Sequence, residues 1–283
     1  MKQLNDLVRE CTRNMSADAS GLWLSWDELE GVLRRVLDRL TDKGPVVDSD
    51  IGNNGSDNIG KLWLPTKVAF SSPVTASATC EATRKKVYYA VVNRMLVNVP
   101  LFREVVLLRD ETARMLGFRH HAALKAAGNM MQTPEAVRQL LSEISDVLHR
   151  LASIIRYRSP ETHEELEAMN LTELFNRTRA DIYQIHGGEA LDEGWEWGHG
   201  ESVFRNVLNG YDAEYCSYIL GRVFALDLFD VGFKHDSTSK DAGRRYRDMV
   251  IVKGGSQPEM KTLTDFLGHR PSTGPYLAWL RSP

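Results

Sequence analysis

Three tyrosines, Tyr211, Tyr215 and Tyr218, follow closely on an Asn209-Gly210 break. A tyrosine hydroxyl donates one hydrogen bond, so such a cluster can hold a carbonyl or steady an oxyanion. With Asp212 as N-cap of a following helix, Tyr211 and Tyr218 lie about two turns apart and their hydroxyls converge. Gly210 has no Cβ to keep a ligand from the backbone. Upstream, Trp197 offers an aromatic wall, His199 a titratable ring, and Asn206 an amide that donates and accepts without titrating. Tyr211, Tyr218 and His199 are therefore the candidate catalytic groups. The expected ligand-binding face comprises Trp197, His199, Asn206, Gly210, Tyr211, Tyr215 and Tyr218. Trp195 and Trp197 alternate around a Glu, which predicts one core ring and one pocket wall.

Other reactive residue types carry less. His163 and Glu167 share a helix face, but a zinc site needs at least three protein ligands, and the segment reads as a solvated face. His120 and His121 diverge by about 100° on a helix. Cys216 reads as a buried, inert thiol. Gly254-Gly255-Ser256 reads as a loop ending in a helix cap rather than an anion nest. Arg244, Arg245 and Arg247 are expected to pair with Asp227 and Asp230. We expect no metal ligands and no cofactor.

The elements that must position these groups are mostly helices. Ser25 and Glu28 form a capping box that predicts a helix through Leu29, Val32, Leu33, Val36 and Leu40. Thr41 to Gly60 is a Gly-, Asp-, Asn- and Ser-rich loop. Lys61 to Phe70 is the best strand candidate, limited by Pro65. Helices follow over Glu81 to Val97 and from Pro100 to Gly117. Thr133-Pro134 opens another that runs through Tyr157 and ends at Ser159-Pro160. Ser256 and Glu259 form a second capping box, with Gly268 past the helix end. The predicted fold is all-α, a single helical body with at most a short β-hairpin near Lys61 to Val74.

The chain has 283 residues, 42% of them hydrophobic, enough for one large core or two small ones. A net charge of -3 gives no electrostatic case for nucleic acid or a membrane surface. Cys11, Cys80 and Cys216 form no CxxC pattern, which suits a reducing compartment. No run reaches transmembrane length and no apolar signal core opens the chain, so a cytoplasmic location is expected.

The stretch NGYDAEYCSYILGRVFALDLF resembles the substrate-loop motif of the thimet oligopeptidase family of zinc metallopeptidases, written close to H-x-x-G-G-Y-D-A-x-Y-Y-x-Y. Tyr211 and Tyr218 match tyrosines that in the family line the channel and stabilise the tetrahedral intermediate, and Tyr215 matches a further one. Asn206 stands where the family's His would be, and Cys216 replaces another Tyr. GLWLSWDELEGV, VPLFREVVLLRDETARMLGFRHHAALK, THEELEAMNLTELFNRTRADI and GRRYRDMVIVKGGSQPEMKTLTDFLGHRPST also resemble family segments, in family order, most of all those of the filamentous-fungal branch.

The family's H-E-x-x-H zinc helix has no counterpart in this sequence. Two His at i and i+4 with an intervening Glu bind zinc and activate its water. The chain thus looks like a family member with its catalytic core excised: one domain over residues 1–283, with family-like segments at about 20–145 and 160–280 joined by a helix at about 134–158. The resemblance then implies a metallopeptidase-like protein that binds a peptide or small molecule in a residual groove and does not cleave peptides. A metal-independent isomerase or cyclase that uses the tyrosine loop is the alternative, and a decayed product the third reading. A closed pocket with inward tyrosine hydroxyls would favour the enzyme, an open groove the binding protein.

Overall fold

The structure, a computed structural model, describes residues 2–44, 58–145, 160–183, 188 and 193–282. In chain order the elements are α1 (Lys2–Ala17), β1 (Gly21–Leu24), α2 (Arg34–Leu37), β2 (Leu62–Pro65), α3 (Val68–Ser77), α4 (Glu81–Val92), α5 (Asn98–Met115), α6 (His121–Ala127) and α7 (Pro134–Ser145). Then come α8 (His163–Ala168), α9 (Leu171–Tyr183), a 3-10 turn (Gly200–Val203), α10 (Arg205–Leu208), α11 (Ser217–Gly232) and α12 (Lys240–Tyr246). A π-helical turn (Arg247–Ile251), α13 (Glu259–Leu267) and α14 (Gly274–Leu280) close the order. The fold is all-α with one two-stranded ribbon among the described residues. None of their helices is long and apolar enough to cross a membrane.

Two compact units emerge. The first gathers described residues of Met1–Val106, Met169–Ala180 and His186–Phe204, the second those of Leu107–Ala168, Asp181–Ile185 and Arg205–Pro283.

In the first unit, Leu24, Leu29, Val32, Val36, Leu64, Val74, Ala78 and Val87 form the core. The ribbon is antiparallel, with Trp23 opposite Trp63 and Gly21 opposite Pro65. Thus the strand at Leu62 does not fold back on residues up to Val74: its partner lies forty residues earlier, and Val68–Ser77 is a helix. Hydroxyls of Ser71, Thr75 and Ser77 bond carbonyls one turn back along that helix. Gly21 is needed because a Cβ there would sit 2.4 Å from the Trp63 ring. The first capping box forms, Ser25 N–H donating to Glu28 Oε2 (2.8 Å) and Glu28 N–H to Ser25 Oγ (3.2 Å). The long helix expected behind it does not, and only Arg34–Leu37 is helical. Gly31 takes φ +85°, and a Cβ there would meet the Ser77 carbonyl at 2.6 Å. Close packing against the end of α3 breaks the helix.

In the second unit, Ile144, Val223 and Tyr276 anchor one cluster and Leu263, Phe266 and Leu267 another. The helix expected from Pro134 to Tyr157 is seen from Pro134 to Ser145, and its remaining residues lie outside the described ones. Gly268 ends α13 at φ +80°, as its position predicts. The second capping box is not made. Pro258 precedes α13 instead, and Gln257 bonds the Thr262 hydroxyl. The arginine pairings also differ from expectation. Arg244 meets Asp241, Arg247 meets Asp248, and Arg245 donates to the Phe266 carbonyl. Asp230 pairs with Lys234, while Asp227 is buried and accepts the Ser272 N–H.

Candidate functional site

In the first unit, the loop from Gly194 to Val203 hangs from buried amide side chains. Asn176 donates to the carbonyls of Trp195 (2.8 Å) and Gly198 (2.7 Å), and Asn98 to that of Ser202 (3.2 Å). Asn93 holds the Trp197 carbonyl (3.1 Å). Neither tryptophan is fully buried, so the expected division into core and wall does not occur. Arg177 lies 4.5 Å over the Trp195 ring, and Trp197 stacks on Tyr88 at 5.5 Å. His199 Nδ1 lies 3.2 Å from the Thr172 hydroxyl and 3.5 Å from Glu201 Oε1. Thr172 donates to that same buried carboxylate at 2.5 Å. Glu201 had no signal in the sequence beyond standing two residues after His199.

The second unit holds Asn206, Gly210 and the tyrosines. Gly210 has φ +87°, and the Tyr211 N–H turns back to the Asn206 carbonyl (3.1 Å). That reversal brings the three rings together, with centroids 6.0 Å apart for Tyr211–Tyr215, 6.0 Å for Tyr211–Tyr218 and 5.7 Å for Tyr215–Tyr218. The Tyr218 hydroxyl donates to that of Tyr211 at 3.2 Å. The rings are 40%, 54% and 61% exposed in chain order, so they form a surface cluster and not a core. The hydrogen bond to Tyr211 and that ring's proximity push the Tyr218 hydroxyl above the usual phenol range, which leaves it a donor rather than a base. Trp197 and His199 belong to the first unit, and Asn206, Gly210 and the tyrosines to the second.

Asp212 is not the N-cap of α11, which begins after Cys216 with no capping side chain. Its carboxylate is 5% exposed, hydrogen-bonded to His121 Nε2 and 3.7 Å from Arg109 Nε. Burial raises the Asp212 pKa, but the His121 bond and the Arg109 charge outweigh it and the net shift is downward. Arg109 also donates to the Val207 carbonyl (2.7 Å), so the motif is pinned on both sides of Gly210. Cys216 has its thiol pKa raised by burial, which keeps it protonated and inert.

The histidines have separate duties. His120 caps α6 by accepting the Ala123 N–H (3.2 Å), while His121 reaches Asp212. His163 is not on a solvated face: it donates to buried Asp110 (2.9 Å), which also takes Arg114 (2.6 Å). Among the described residues no three His, Cys, Asp or Glu side chains are grouped to hold a metal ion. Of the described histidines, His120 caps a helix and His121, His163 and His199 face carboxylates, an arrangement that does not fit a zinc site, which needs at least three protein ligands together.

The family model of Peptidase family M3 matches residues 74–157 and 155–282. The chain belongs to peptidase family M3. It is 31% identical over 532 residues to oligopeptidase PhomG' of Diaporthe leptostromiformis, covering 99% of this chain and 43% of that relative. It is 30% identical over 566 residues to oligopeptidase PhomG of the same fungus, with 99% and 78% covered. The thimet-like oligopeptidase of Dictyostelium discoideum is 32% identical over 108 residues, 38% of this chain and 15% of that relative. The chain therefore spans under half the length of the first of these M3 relatives.

Proposed function

We propose that this M3-family chain binds a peptide or small molecule at its tyrosine surface and does not hydrolyse peptides. The observation that carries the reading is the internal join. The family model matches in two pieces that meet at residues 155–157, and the alignment to PhomG extends over 566 residues although this chain has 283. On the family resemblance, that join is where the H-E-x-x-H block would stand, and the sequence contains no H-E-x-x-H. Peptide hydrolysis in this family needs a water whose pKa the metal lowers. Hydroxyls can stabilise an oxyanion but cannot generate that nucleophile.

Binding is preferred to metal-free catalysis because the three tyrosines are exposed and form a surface cluster. An enzyme of the isomerase or cyclase kind needs a closed pocket around its donors. The test is zinc analysis of the purified protein beside a fluorogenic peptide assay with and without chelator. We expect no stoichiometric zinc and no turnover. Chelator-sensitive cleavage overturns the proposal.

A further inference from the structure

Two clefts of the second unit share the side chains of Met130, Met131 and Phe224. The first, about 340 Å³, is walled by Ala126, Val137, Leu220 and Cys216 as well. Its only charged lining group, Glu214, is engaged by Lys125 (3.3 Å) and Asn129 (3.2 Å). The second, about 550 Å³, is polar and contains both Arg270 and Glu143. The guanidinium of Arg270 makes no ion pair or hydrogen bond with a described residue. Only its backbone carbonyl is used, by His269. Glu143 accepts the Thr273 hydroxyl (3.0 Å) and faces no described cation within ion-pair distance.

A cation and a carboxylate without a counter-charge among the described residues, in one cleft beside an apolar hollow, describe their complement. We propose that the paired clefts bind a dipeptide with apolar side chains, its carboxylate on Arg270, its ammonium on Glu143, and one side chain between Met130, Met131 and Phe224. Arg presents a planar fork that matches a carboxylate. Unbranched Met side chains adapt to varied apolar shapes. The volumes fall in the range of small-ligand sites, roughly 300–1,000 Å³. The opposed charges select a short zwitterion over a purely anionic or neutral amphipath. No tyrosine lines either cleft, so the inference does not rest on the tyrosine surface.

The test is calorimetric titration of the whole chain with leucyl-phenylalanine, its C-terminal amide, its N-acetyl form and free phenylalanine. The parent dipeptide should bind, and either blocked form should bind at least roughly tenfold more weakly, as loss of a charged hydrogen bond requires. Arg270→Gln should weaken the parent dipeptide by the same factor and be indifferent to amidation, and Glu143→Gln should be indifferent to acetylation. Both residues are exposed, and melting curves check that the variants fold. Equal binding of the amide, an unaffected Arg270→Gln, free phenylalanine binding as tightly as the dipeptide, or no heat up to about 1 mM would each overturn the proposal. Because binding is read and not turnover, its failure is separate from any failure of the non-peptidase reading.

Discussion

Asp212 shows how one carboxylate can organise a surface motif. It sits one residue past Tyr211, and His121 and Arg109 fix it from helices about ninety and a hundred residues earlier. Replacing it by Asn keeps the shape and leaves Arg109 buried without its counter-charge. We expect a loss of roughly 3 kcal/mol, the lower end for breaking a buried pair, since Arg109 keeps the Val207 carbonyl. The pH dependence follows from the downward shift. The contribution is present above the ordinary aspartate range and disappears as pH falls through the lowered folded-state value. Urea unfolding between about pH 6 and 3 should show a shallower fall for Asp212→Asn than for the parent, and parallel curves would contradict this. The tyrosines behave differently, being exposed. Tyr218→Phe should cost about 1 kcal/mol of affinity for an uncleaved fluorogenic peptide read by anisotropy, with little change in melting. If it and Tyr211→Phe both bind like the parent, the cluster is not a ligand surface. The tyrosine cluster was legible in the sequence because its members are near neighbours. The Asp212 and Glu201 networks were not, since their partners come from distant elements and no local spacing marks them.

At the scale of elements, a local signal can be right about a bond and wrong about the extent of the helix it opens. The Ser25–Glu28 box forms, yet the helix it announces is cut at Gly31, whose left-handed backbone and contact with the Ser77 carbonyl are tertiary facts. Gly31→Ala should therefore destabilise by more than the roughly 1 kcal/mol of an ordinary glycine substitution, because strain at φ +85° adds to the clash. A melting point equal to the parent's would refute it. The strand at Leu62 was legible from its alternation, but its partner was not, because antiparallel pairing between segments forty residues apart leaves no turn to read. The start of α6 makes a pH-dependent case. His120 caps it through a neutral Nδ1, and burial together with nearby Arg119 lowers the ring's pKa. Protonation removes the acceptor. A base with a lowered folded-state pKa favours the unfolded chain as pH falls. His120→Asn, which can still cap, should thus keep most of the stability at pH 7 and lose the dependence below about pH 6.5. A parent whose stability is flat across that range would remove the argument.

For the whole molecule, the question is whether a metal belongs to the fold. A bound ion that prefers the folded chain stabilises it by an amount that grows with the ratio of free ion to dissociation constant, and its removal by chelator lowers the melting point. The first unit is held by an apolar core around Leu24, Leu64, Val74 and Val87, and the second by those around Val223 and Phe266. Among the described residues, buried acids face neighbouring side chains: Asp110 faces Arg114 and His163, Asp212 faces His121 and Arg109, and Glu201 faces Thr172. We therefore expect melting curves in chelator and in added zinc to coincide within a degree or two. One kcal/mol of linked binding would move a chain of this size by about 2–4 °C, so the measurement resolves even weak coupling. A chelator-induced drop of several degrees, restored by zinc, would mean that metal ligands assemble in the folded chain. The non-peptidase reading would then fail together with the expectation that no metal is held.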